Sequence, residues 1–209
     1  MATAERIMMS FFARGADDVA KSLIGALVLY KSANSCVGGH IVETEAYDEK
    51  DPSSHTEYKK RNMNRPMYRP PGYLYIYPKS KYCSLNFVCC REDFGSAVLI
   101  RALEPLEASK PTMRERRRAQ RPAADTNDYL LCNGPMNLCQ SLGVTADDND
   151  IKLDDSPFEL YAAVGSVDVW CGPRVGVKDN RPRRYVYAGS KFISHLNEKR
   201  YPLSAERCR

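Results

Sequence analysis

The chain predicts an α+β fold, a mostly antiparallel sheet with flanking helices. Three observations carry that expectation. Strand-like runs follow one another without an intervening helix at residues 23–47 and again at 73–103. The helix-like stretches are few, and the order is mixed rather than the strand–helix alternation that builds a parallel sheet. At 209 residues the chain has the length of one domain, residues 1–209, and can bury a core without disulfide or metal staples.

Taken in order, Asp17–Leu23 predicts a short helix, with Asp17 and Asp18 in the first turn where carboxylates are favoured. Leu23–Tyr30 and Val37–Tyr47 read as strands joined by the polar turn Lys31–Ser35. Tyr73–Tyr77, Tyr82–Cys89 and Ser96–Leu103 follow as strands because aromatic and β-branched residues crowd them. Pro105 ends the last of these, and Leu106–Gln120 predicts a helix. Cys132–Leu142 predicts another, with Asn133 as its cap and Pro135 in the first turn, where a missing N–H costs nothing. Phe158–Ala163, Arg174–Val177 and Tyr185–Tyr187 are the late strands.

Composition narrows the function classes. Hydrophobic residues make up 43% and charged residues 27%, as in ordinary globular proteins. Apolar runs such as Leu23–Leu29 fall far short of the roughly 18–20 residues of a membrane-spanning helix. Glu5, Arg6, Ser10 and Asp17 break any secretory signal, so a non-secreted protein with reduced thiols is expected. Cys83, Cys89, Cys90, Cys132 and Cys139 form no C-x-x-C, and the three histidines lack ligand spacing, so neither a redox pair nor a metal site is expected.

The net charge of +5 is unevenly spread. Lys59, Lys60, Arg61, Arg65 and Arg69 form one acid-free block; Arg114, Arg116, Arg117, Arg118 and Arg121 form a second; Lys178, Arg181, Arg183 and Arg184 form a third. Acids gather at Asp147, Asp148, Asp150, Asp154 and Asp155. Such segregation predicts a basic face suited to phosphates, against the plainer reading of scattered solvated patches.

The most informative stretch is Gly39–Tyr47. As a strand it puts Glu43, Glu45 and Tyr47 on one face and Val42, Thr44 and Ala46 on the other. Two carboxylates and a phenol are either solvent decoration or the floor of a polar site. Tyr73, Tyr75 and Tyr77 likewise share a face, and tyrosine's flat body and polar tip suit a nucleobase pocket.

Together these segments resemble the alkyladenine (3-methyladenine) DNA glycosylase family. The resemblance runs from about Phe11 to Ser194 through Ile41–Tyr47, His55, Asn62–Met67, Pro71–Tyr77, Leu99–Glu107, Gly134–Gln140, Arg174–Val177 and Arg184–Ser190. It implies a cofactor-free, monomeric, monofunctional glycosylase acting on damaged double-stranded DNA. It also implies a fold like the C-terminal domain of methionyl-tRNA formyltransferase. The location implied is cytoplasmic or nucleoid-associated in a bacterium, nuclear in a eukaryote. Glu45 matches the general base, Tyr47 and Tyr77 the residues sandwiching a flipped base, and His55 the histidine contacting it. Asn86 matches the asparagine that crowds guanine's amino group, and Arg101 a residue near the water and the DNA backbone. Glu43 stays outside the catalytic set as a salt-bridge or solvent residue, Tyr75 is read as packing, and Met136 and Cys139 as helix core. The competing expectation is a nucleic-acid-binding module of the same fold with weak or lost catalysis; a pure binder would have no need of Glu45.

One departure stands out. Where relatives carry a Tyr-Gly-Met loop whose tyrosine fills the gap left by the flipped nucleotide, this chain has Pro78-Lys79-Ser80-Lys81. Lysine neutralises phosphate but cannot replace a stacked base. Asn137 also stands where a lysine is usual.

Overall fold

The computed structural model describes residues 4–58, 64–79, 82–122, 127–194, 201–204 and 208. Eight strands form its sheet: β1 (Leu27–Ser32), β2 (Ser35–Tyr47), β3 (Leu74–Lys79), β4 (Tyr82–Val88), β5 (Ala97–Pro105), β6 (Phe158–Tyr161), β7 (Val169–Gly172) and β8 (Arg184–Tyr187). They run in the order β3-β4-β5-β2-β1-β6, with β8 joined to β2 and β7 to β8, and every pairing is antiparallel.

The 13-residue β2 organises the sheet. Along one edge it pairs with β5; its other edge is shared, β1 taking Ser35–His40 and β8 taking Glu43–Glu45. Glycines make this crowding feasible: a Cβ on Gly38 would fall 2.1 Å from the Val28 carbonyl oxygen, and one on Gly39 2.4 Å from that of Glu104. The β2–β5 register shifts between Ile41 and Thr44, an irregularity that re-aims the side chains beyond it. Ile41 through Ala46 are all buried, so the alternation read from sequence separates two covered faces rather than core from solvent. On one side Thr44 Oγ1 donates to the Ala20 carbonyl of helix α1 (Ala16–Ser22).

Among the described residues three further α-helices follow: α2 (Lys110–Gln120), α3 (Asp128–Leu131) and α4 (Pro135–Leu142). Helix α4 lies against β4 and β5, and α2 packs on α4. The main core runs from Phe12 and Val19 through Ile41, Phe87 and Ile100 to Leu138 and Phe158. No helix among the described residues is long and apolar enough to cross a membrane.

Several predicted boundaries are corrected. The strand expected from Leu23 starts at Leu27, because Leu23 closes α1 and Gly25 turns the chain at a φ of +83°. The helix expected from Leu106 starts at Lys110: Leu106 is extended and Glu107–Ser109 form a 3-10 turn. Helix α4 starts at Pro135 with Gly134, not Asn133, at its cap; Asn133 instead accepts from Asn137 Nδ2. Arg174–Val177 is not a strand. The strand lies earlier, at Val169–Gly172, and Pro173, with no N–H to offer a ladder, follows it.

Candidate active site

A cavity of about 560 Å³ opens where the end of β2, the β3–β4 hairpin, the start of β5, the first turn of α4 and the 175–177 loop converge. Tyr47, His55, Tyr77, Asn86 and Arg101 line it, so five of the six residues singled out from sequence share one wall system. Pairing explains the convergence: Glu45 lies opposite Leu99 on β5 and Arg184 on β8, Asn86 opposite Leu99 and Tyr75. Asn133 bridges to Ala102, which brings Pro135 and Met136 over the cavity. A larger, more open groove of about 850 Å³ lies between Glu104, Lys110, Asp128, Tyr187 and Phe192 and contains none of these residues.

Glu45, the sixth, is fully buried one hydrogen bond behind the wall. Its Oε2 accepts from the Tyr47 hydroxyl at 2.7 Å and from Arg101 Nη1 at 3.3 Å; its Oε1 accepts from the Val175 N–H at 2.7 Å. All three donors line the cavity. Burial, then the Glu45 charge, holds the Tyr47 phenol well above its usual pKa of 10.0, so Tyr47 stays a donor. Burial works against the Arg101 charge, but Glu45 and Glu43 outweigh it and raise its pKa further.

Glu43, left aside at the sequence level, is fully buried as well. It accepts from Arg101 Nε at 3.1 Å, Arg184 Nε at 2.7 Å, Ser194 Oγ at 3.0 Å and the Ser194 N–H at 2.7 Å. Two carboxylates and two guanidiniums thus share one buried cluster, in which the charges are paired as burial requires. Arg101 bridges the two glutamates.

Across the cavity, the His55 ring stacks on Tyr77 with centroids 3.9 Å apart and planes 29° apart. Its Nδ1 lies 3.0 Å from the Tyr75 hydroxyl, and Asn64 Nδ2 fixes its backbone carbonyl at 2.7 Å. Tyr75 therefore packs in the core and also lines the cavity, orienting His55. Asn86 spends its amide hydrogens on the Tyr75 and Ser84 carbonyls, leaving Oδ1 without a donor among the described residues. Met136 is half-buried at the rim rather than in the helix core, whereas Cys139 is buried as expected.

Among the described residues, several members of the basic blocks are engaged within the fold. Arg183 pairs with Asp17, Asp48 and Asp51, Arg184 with Glu43, and Arg181 with Asp51 and Asp179. In the second block Arg117 is buried and donates to the Leu130 and Leu131 carbonyls, while Arg114 pairs with Asp128. Arg69 grips Asp150 through two bonds of 2.6 and 2.7 Å. Lys59, Lys60 and Arg61, like Ser80 and Lys81, lie outside the described residues. A basic run reads as surface in one dimension; the carboxylates that bury it come from distant segments. Sequence reasoning missed the Val175 contact because it is made by a backbone N–H, which leaves no mark on residue identity.

The family model described as methylpurine-DNA glycosylase matches residues 10–191. The chain belongs to the methylpurine-DNA glycosylase family. It is by that membership a DNA N-glycosylase, a hydrolase of DNA damage repair. A provisionally named 3-methyladenine DNA glycosylase of Nitrosospira multiformis is 41% identical over 186 residues, 88% of this chain and 91% of that protein. One from Rhodopseudomonas palustris is 40% identical over 192 residues, 90% of each chain. One from Agrobacterium fabrum is 38% identical over 192 residues, 90% of this chain and 92% of its own. The cavity thus lies within the part of the chain that the methylpurine-DNA glycosylase family model covers.

Proposed function

We propose that this protein removes alkylated or deaminated purines, 3-methyladenine among them, from double-stranded DNA by a Glu45-activated water. The observation that carries the reading is the Glu45 carboxylate, oriented by three donors at the back of an aromatic cavity. The reacting sugar carbon is unreachable inside a duplex, so the nucleotide must leave the stack and enter the cavity. Tyr47 stacks on one face of the base, and His55 on Tyr77 supplies the other. Asn86 crowds the amino group of an undamaged guanine.

Each carboxylate oxygen has room for two hydrogen bonds, and Oε1 spends one on Val175. The other receives a proton from water as the water oxygen bonds to the anomeric carbon. The carbon–nitrogen bond breaks, and its electron pair leaves with the base. Glu45 also stabilises the positive charge that gathers on the sugar. Among the described residues no lysine lines the cavity, and the family resemblance implies hydrolysis without strand cleavage. A binding module of the same fold would need no carboxylate to take a proton here. Incubating the protein with lesion-bearing duplexes and measuring free base tests the reading. Base release by the wild type is expected, and binding without release would overturn it.

A further inference from the structure

The chain after β7 presses one buried arginine against the back of the cavity's tyrosine wall. Arg174 is fully buried, and its guanidinium carbon lies 4.5 Å from the Tyr47 ring centroid. Nη1 donates to the Ala46 carbonyl at 2.9 Å and to Asp51 Oδ2. Nη2 donates to Asp51 Oδ1 at 3.0 Å and to Asp179 Oδ2 at 2.7 Å. The buried Nε–H meets no acceptor among the described residues. A buried unpaired N–H is costly, and Arg184 Nη1 is likewise left without an acceptor among the described residues, so the close ring contact and not the orphaned edge sets Arg174 apart. The guanidinium lies over the aromatic ring, a contact that strengthens when desolvated.

Two further links give this contact reach. The next residue, Val175, supplies the N–H on Glu45 Oε1. Asp51 accepts the Ser53 N–H at 2.9 Å, and so ties the same arginine to the loop leading to His55. We infer that Arg174 is a positioning residue for base release: clamped by Asp51 and Asp179, it fixes the Tyr47 ring against which the flipped purine stacks. The glycosidic carbon is thereby held in line with Glu45. The inference rests on the function proposed above. It assigns Arg174 no contact with the substrate; its action passes through Tyr47.

A double-mutant cycle tests it. Single-turnover base release is measured for wild type, Arg174→Lys, Tyr47→Leu and the double variant, with affinity for a duplex carrying an abasic-site analogue, which has no base to stack. Lysine keeps a charge beside Asp51 but has no plane to lie on the ring. Arg174→Lys is expected to lower release on the order of 10- to 100-fold, the scale of a small misplacement of reacting groups. Affinity for the abasic duplex should stay within about twofold, and the lysine should cost less than about twofold once Tyr47 is leucine. A folded Arg174→Lys with wild-type release, or an equal cost in both backgrounds, overturns the inference. Should Arg174→Lys fail to fold, Asp179→Asn loosens the clamp at a partly exposed position and carries the same cycle. It should cost about threefold with Tyr47 present and nothing without it, and equal costs overturn the inference. A wild type that releases no base overturns the functional reading and this inference together; an active wild type with an uncoupled Arg174 overturns the inference alone.

Discussion

Glu43 and Glu45 sit two residues apart on β2, and their surroundings give them different work. Glu43 is enclosed by Arg101, Arg184 and Ser194, with no donor that lines the cavity except Arg101. Removing it would leave Arg184 with its remaining bond to the Ser194 carbonyl and an uncompensated buried charge. Glu43→Ala is therefore expected to lower unfolding free energy by about 3–5 kcal/mol in a denaturant titration. Glu45 takes all three of its donors from the cavity wall. Glu45→Gln preserves shape but cannot take a proton. It should keep DNA affinity while base release falls about 10²–10⁴-fold, and an unchanged rate would remove Glu45 from the reaction.

At the scale of elements, helix α2 shows how a charge run divides. Arg117 is buried against the last carbonyls of α3, whereas Arg118, one residue on, is exposed. Arg117→Ala should cost about 1–3 kcal/mol of stability by unpairing those carbonyls, and leave the salt dependence of DNA binding as it was. A flattened salt slope would put Arg117 on the DNA face after all. The β3–β4 hairpin carries the other element-level expectation. On the proposed reaction, lysines at the loop where the family resemblance implies a tyrosine should recover less of the few kcal/mol lost on unstacking. The protein should accordingly prefer lesions in mismatches, bulges or single strands more strongly than a tyrosine-bearing relative does. Lys79→Tyr should raise release from fully paired duplex more than from single strands. Equal wild-type turnover in stable duplex and bulge would show that another side chain fills the gap.

Over the whole molecule, charge acts through buried pairs more than through net value. Burial alone would raise the Asp51 carboxyl, but Arg174 and Arg181 outweigh it and hold its pKa below 3.8. A carboxylate depressed in the folded state adds stability that is complete above its unfolded pKa, about 3.9, and disappears as pH falls through the folded value. Unfolding free energy should thus be level near neutrality and drop below about pH 4. Asp51→Asn should start lower and show a shallower acid limb; an identical limb would mean that Asp51 does not govern it. Because so many arginines are paired internally, DNA binding should rest on few phosphates. With about three to five neutralised, the logarithmic salt slope should be on the order of −3 to −4.5.

The amino-acid sequence by itself determined the class of fold, the family, and a set of side chains that the fold gathers at one cavity. Strand periodicity placed Glu45 and Tyr47 on a common face, and the motif order picked out His55, Tyr77, Asn86 and Arg101 before any contact was known. Those signals survive in one dimension because they are residue identities at short spacing. Only the tertiary structure decided what surrounds them. That β2 is covered on both faces depends on tertiary packing, and the burial of Glu43, Arg174, Arg183 and Arg184 rests on partners more than a hundred residues away. The strand misplaced at Arg174–Val177 has the same origin: a run of valines around a glycine carries strand propensity, yet Val175 gives its N–H to Glu45 instead of a ladder. Burial and hydrogen-bond partnership are properties of pairs, and pairs distant in the chain are chosen by folding.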